Sequence, residues 1–263
     1  MNFTFNLNSR EVEVKEVLFK DIRNLTLYSD STLKGNMEFL EQFIISKNLN
    51  IAEKFKAYMI LREKCVGENI SVGSNKGNIN VSLEYINKNV GNFDDIETTE
   101  QIENLYVTFD YPYEFNLGDT DFIFSCIKEL KIDNQTIDMQ SLEKEERQDI
   151  LNKLPKDVFN LLETFINKNE SKFKFNVIQE RPSLEIKQID LNLLNSSTPM
   201  FIYNIFNCMS DNDYREIIFV LSKRIGDVSF LLNCNYFEIE DYYSLYKDEV
   251  EKENENLQNQ NKG

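Results

Sequence analysis

Histidine is absent from this chain of 263 residues, and so is tryptophan. Without histidine there is no imidazole general base, no Ser-His or Cys-His nucleophile pair and no imidazole metal site. Glycine is scarce, at eight residues, and no two of them fall in a phosphate-cradling spacing. A nucleophile elbow and a metalloprotease signature are also missing. The four cysteines, Cys65, Cys126, Cys208 and Cys234, stand far apart, outside any metal-ligand or redox spacing. They read as small hydrophobes with free thiols, suited to a reducing cytoplasm. No apolar run approaches the length of a membrane span, and Met1–Glu11 is polar and alternating, unlike a signal peptide. The expectation is a non-enzyme with no cofactor and no metal.

Positive charge is in short supply as well. Asp and Glu number 45 against 29 Lys and Arg, for a net charge of −16 and a pI near 4.6. A nucleic-acid binder needs a basic footprint, and none is visible. A nucleic-acid mimic would space its carboxylates along one face like phosphates, whereas these are scattered among lysines. The charge therefore reads as solubility and self-repulsion. What the chain does have is material for a core. It is 41% hydrophobic and 12% aromatic, the aromatics being Phe and Tyr alone, in a length sufficient for one large domain or two small ones.

The chain is organised around Ile51–Gly73. Ile51, Phe55, Tyr58, Met59 and Val66 have helical spacing. Tyr58, Met59, Ile60 and Leu61 make the stretch apolar nearly all round, as in a helix wrapped by other elements. Gly67 suits a left-handed C-cap, and Ile70-Ser71-Val72 then alternates as a short strand. Arg62 lies within the stripe. A guanidinium there either snorkels out or needs a partner, so Arg62 is expected to be structural and paired with a buried or half-buried carboxylate.

Around this pivot the pattern predicts an α+β fold, mostly α, with helical N- and C-terminal parts flanking antiparallel strand pairs. Residues 1–73 form an N-terminal part. It has a hairpin (Phe3, Phe5, Leu7, then Val12, Val14), a helix over Val17–Tyr28, and a second helix capped by Ser31 or Thr32. Residues 74–195 are a mixed β/α middle. Ile79, Val81, Leu83 and Tyr85 alternate, as do Leu105, Val107, Phe109 and Tyr111. The acidic run Asn92–Glu103 between them reads as a solvated loop or a short helix. Asp119 or Thr120 should cap a helix carrying Phe122, Ile123, Cys126, Ile127 and Leu130, and Ser141 another. Pro155 should stand at the first position of the next helix, and a second antiparallel pair runs from Phe173 to Val177 and from Leu184 to Ile186. Residues 196–250 are helical and expected to form one compact unit with the rest. Thr198-Pro199 marks one start, Ser210 with Asp213 has capping-box spacing for a helix ending at Gly226, and a last helix runs from about Phe237. Residues 251–263 read as a disordered acidic and polar tail.

Two segments together resemble one family. The first, in Val12–Gly73, has Val14-Lys15-Glu16 leading from a strand into a helix, then an apolar helix with Leu61-Arg62 and Gly67 at its end. The second, in Ser197–Glu253, has Phe201-Ile202-Tyr203-Asn204-Ile205-Phe206, a helix with Tyr214, Phe219 and Leu221, and an acidic, tyrosine-bearing helix before a Glu/Lys tail. This layout is similar to T4-like phage proteins that serve in assembly of the central baseplate hub. Val17 stands where that family has a tyrosine, and the spacing after Tyr214 slips by one residue.

The resemblance implies a non-enzymatic tail morphogenesis protein that assembles or chaperones the hub. It implies other baseplate hub or tail proteins as partners, no nucleic acid and no membrane span. It places the chain in the host cytoplasm during assembly, with the virion baseplate as a further location. The competing expectation is an acidic phage-encoded inhibitor, or nucleic-acid mimic, acting on a host protein. An enzyme would have to use carboxylates alone, with Asp94, Asp95 and Glu97 the candidates for a metal. For partner binding, Tyr203, Phe206, Tyr242 and Leu245 are expected off the inward faces of their helices, and surface aromatics are frequent binding anchors.

Overall fold

The computed structural model describes residues 2–7, 10–27, 32–67, 69–74, 77–82, 93, 95–133, 135–179 and 187–260. Leu83, Tyr85, Asp94, Leu184 and Ile186 lie outside these residues.

The first part follows the sequence pattern closely. Strands β1 (Asn2–Leu7) and β2 (Arg10–Lys15) pair as an antiparallel hairpin, and β2 buries Val12 and Val14 fully. Helices α1 (Phe19–Leu27), α2 (Leu33–Glu41) and α3 (Ile51–Val66) come next. Thr32 caps α2 by accepting the Gly35 amide. At α3, Asn50 and Glu53 close a reciprocal capping box, satisfying orphan donors of the first turn. This helix is wrapped as its composition demands: Ile51, Phe55, Tyr58, Met59, Leu61 and Cys65 are all buried. Phe55 meets Phe93, Phe175 and Phe201 at ring distances of 6.4, 5.0 and 6.4 Å.

Strands β3 (Asn69–Ser74) and β4 (Gly77–Ser82) form a second hairpin. A four-stranded meander follows, of β5 (Thr98–Ile102), β6 (Leu105–Phe109), β7 (Ile127–Ile132) and β8 (Gln135–Asp138), antiparallel throughout. Two expectations fail here. The acidic run ends in β5, an edge strand whose Glu100 and Gln101 face solvent. Thr98–Ile102 has no apolar alternation to betray it, and pairing with β6 decides its conformation. The helix expected from Asp119 to Leu130 is instead a 3-10 turn, Phe122–Cys126, running into β7.

The second failure has a specific cause. Val107 pairs with Leu130 and Thr108 with Glu129, but Phe109 pairs with Ile127. Lys128 is the extra residue of a β-bulge. A bulge resets the two-residue alternation, so Ile127 and Leu130 are both buried although three positions apart. That spacing reads as a helix.

The bulge also aims Lys128 at two carboxylates. Its Nζ donates to Asp110 Oδ2 at 3.0 Å and to Glu97. Burial pushes the Asp110 carboxyl above the usual aspartate range, against the hydrogen bonds from Lys128 and the Tyr111 amide. A raised carboxyl value means the native state holds the proton more tightly than the unfolded chain does. Asp110 therefore adds stability in acid that is lost as pH rises through its folded value. Lys128→Met should cost about 1 kcal/mol near neutrality, and the deficit should shrink as Asp110 is protonated. Urea midpoints across an acidic pH series test this, and a deficit that does not vary with pH would remove Asp110 from the account.

Helices α4 (Lys144–Leu151), α5 (Lys156–Lys168) and α6 (Glu170–Phe173) lead to the hairpin β9 (Lys174–Gln179) and β10 (Lys187–Asn192), a separate two-stranded sheet. Helix α4 starts at Lys144 rather than at Ser141, whose hydroxyl donates to the Asp138 carbonyl. Pro155 is the N-cap of α5, one position before its first residue. Helix α5 lies on the meander through Val158, Leu162 and Phe165, with Phe165 stacked on Phe109 at 5.4 Å.

The chain closes with α7 (Ser197–Phe206), α8 (Asp211–Ile225), α9 (Val228–Asn233) and α10 (Tyr236–Gln260). Thr198 lies inside α7 instead of capping it, and its hydroxyl donates to the Asn192 carbonyl at 2.8 Å. Helix α10 continues to Gln260, through much of the segment expected as a disordered tail. The class is α+β, mostly α, with helices at both ends around small antiparallel sheets. The buried residues fall into two clusters, and α7 joins the main core with the N-terminal and middle parts. Residues of α8, α9 and α10 form a second cluster around Phe19 of α1.

Candidate partner-binding surface

The C-terminal helices are punctuated by strong local signals. Ser210 and Asp213 close a capping box at the start of α8, and Gly226 ends it in the left-handed region at φ 78°. Asp227 then caps α9 by accepting the Phe230 amide. Asn235 and Glu238 exchange side-chain and backbone hydrogen bonds at the start of α10, each at 2.9 Å. Packing on α1 fixes the group in place. Phe19 stacks on Tyr214 at 4.5 Å, the Phe19 amide donates to the Cys234 carbonyl, and Lys20 Nζ donates to Asn233. Tyr214, Ile217, Leu221, Leu231 and Ile239 are buried between these helices. Tyr243, Tyr246 and Val250 continue the inner stripe half-buried.

The four aromatic and aliphatic candidates for partner binding separate into two pairs. Tyr203 and Phe206, expected on the surface, are 8% and 0% exposed. The correction has a simple cause: α7 is covered on most sides, and its one outward strip carries Met200 and Asn204 rather than Tyr203 and Phe206. Phe206 meets Tyr58 edge-on at 6.3 Å. Tyr242 and Leu245 are 37% and 61% exposed. The structure adds two neighbours that periodicity missed, Phe230 at 45% and Phe237 at 51%. The Phe230 and Tyr242 rings lie 6.1 Å apart. The available signal for Phe230 was Asp227 as a cap before Val228-Ser229-Phe230, but a helix of this length shows too few turns for a periodicity.

Arg62 is buried, not snorkelled. Its Nε donates to the Ile205 carbonyl at 2.6 Å and a terminal nitrogen to the Gly67 carbonyl at 2.5 Å. Both acceptors sit at helix C-termini, where carbonyls lack intrahelical partners and carry partial negative charge. Burial lowers the guanidinium below the usual arginine range, while Cys208, Tyr236 and Glu240 act to hold its charge. Gly67 follows α3 with φ 98° and ψ 168°. The positive φ suits glycine, but the ψ turns the chain out toward β3 instead of making the left-handed helical cap expected there.

Asp95 accepts the Glu97 amide, and Glu97 is ion-paired with Lys128. Among the described residues no group of three or more Cys, Asp or Glu is placed to hold a metal ion, and no helix is long and apolar enough to cross a membrane. All four thiols are free.

The model of the T4 bacteriophage base plate protein family matches residues 1–192. The chain belongs to that family, and its role is connected with the phage baseplate and the other proteins of the baseplate. The match spans α3 and its Leu61-Arg62 and Gly67 motif; α7 to α10, which carry the second set of resembling residues, lie beyond it. No curated protein and no solved structure matches the chain.

Proposed function

We propose that this protein is a non-enzymatic assembly factor of the baseplate central hub, which holds hub or tail proteins by protein–protein contact until the hub is complete. The observation that carries the reading is the family match over residues 1–192. The exposed Phe230, Phe237, Tyr242 and Leu245 on the helices beyond it support a binding role, since aromatic anchors dominate interface energetics. It works in the host cytoplasm during assembly and acts at the baseplate. The acidity serves solubility: many carboxylates are spent on lysine and arginine in pairs such as Arg224 with Glu253 and Lys144 with Asp119. The tagged full chain, produced together with the baseplate proteins of its phage, should retain hub or tail proteins through washing. A phage lacking the chain should form tails without a hub in negative-stain images. Normal hubs in its absence would end the reading.

A further inference from the structure

The outward side of α9 and α10 combines an apolar ridge with bordering carboxylates. Phe230 and Tyr242 lie ring to ring, and Leu245 stands one helical turn beyond Tyr242, so that a ridge of exposed apolar groups crosses from α9 to α10. Carboxylates border the ridge: Glu238, Asp241, Asp248 and Glu249, all exposed. Glu238 is held by the Asn235 amide and Glu249 by Arg224 at 3.8 Å. Asp241 and Asp248 have no ion pair among the described residues.

We propose that this face docks an amphipathic helix of a partner protein, one whose apolar ridge is flanked by lysine or arginine. The proposal rests on the protein-binding reading above, but not on which baseplate protein carries the helix. Charge complementarity selects the occupant. A second copy of this chain would bring the same carboxylates and a net charge of −16 to the contact, and like charges across an interface select against a partner. A strand would need an open sheet edge, and α9 with α10 offers side chains only, their backbone groups being consumed in helices. A basic amphipathic helix satisfies both requirements at once: its ridge covers Phe230, Tyr242 and Leu245, and its flanking cations meet Asp241 and Asp248.

The test uses the full chain and a synthetic helical peptide with leucines at i, i+3, i+4 and i+7 and lysines on both flanks. A second peptide has glutamates in place of the lysines. Fluorescence anisotropy should show binding of the lysine peptide, weakening as salt is raised, and none of the glutamate peptide. The triple variant Phe230→Ala, Tyr242→Ala, Leu245→Ala leaves the charge unchanged and should weaken binding roughly tenfold or more. Phe219→Ala, on α8 and exposed, should leave it unaltered. Asp241→Asn with Asp248→Asn should flatten the salt dependence. Circular dichroism melting of each variant establishes that it is folded. Equal binding by the triple variant would mean diffuse attraction to an acidic surface and would overturn the proposal. So would equal binding of the glutamate peptide, or a dimer in sedimentation that the triple variant abolishes. Hub proteins failing to co-purify would leave the peptide result standing, so the two readings fail separately.

Discussion

Arg62→Met should destabilise the protein by about 2–4 kcal/mol, the cost of stranding two buried acceptors less the relief of no longer burying a guanidinium. Methionine fills a similar volume, so the loss reports bonding rather than a cavity. The substitution leaves the Gly67 and Ile205 carbonyls without their donor in a buried setting, and an unsatisfied buried polar group costs about 1–3 kcal/mol. It also removes a cation on which the C-terminal ends of α3 and α7 converge. Arg62→Lys should recover part of the loss only, since an ammonium cannot reproduce the planar fork that reaches two carbonyls. Urea denaturation with a common slope is the measurement. A loss below about 1 kcal/mol for the methionine variant would show that the carbonyls find other donors.

Phe206→Ala should cost about 3–5 kcal/mol, as large-to-small substitutions at fully buried aromatics do. Phe206 has no exposed surface and packs edge-on against Tyr58 in the middle of α3. Truncation would leave a void against the buried side of α3, around Tyr58, where the packing has little freedom to close it. Leu245→Ala, by contrast, removes a side chain that is 61% exposed and should stay within about 0.5 kcal/mol of the parent. Thermal and urea denaturation of the two variants side by side separates core from surface. A Phe206→Ala protein as stable as the parent would put α7 back on the surface. The Arg62 and Phe206 losses should not add, because Arg62 holds the carbonyl of the residue next to Phe206.

Much of the candidate surface was legible for a local reason. Leu245 falls opposite Tyr243 in a helix with one clear apolar stripe, so its outward side follows from the spacing alone, whereas Tyr242, three residues from Ile239 and four from Tyr246, sits at the edge of the stripe and is 37% exposed. Tyr203 and Phe206 did not yield to the same method. Helix α7 is apolar on most sides, and a period carries no information when nearly every position is apolar. Phe230 and Phe237 were missed because one sits in a short helix and the other on the outer side near a helix start.

From the sequence alone came the features set within a few residues: the limits of α3, the hairpin of β1 and β2, the capping box at Ser210 and the stop at Gly226. Caps, turns and alternation are local, so they survive whatever the rest of the chain does. The absence of histidine and the acidity are also properties of the sequence alone. The tertiary structure decided the remainder. Ladder pairing made strands of Thr98–Ile102 and Ile127–Ile132, and the bulge at Lys128 gave one of them a helical spacing. Packing put α7 in the main core and left α9 and α10 facing out, because which side of an apolar helix is covered depends on what the distant parts of the chain bring against it.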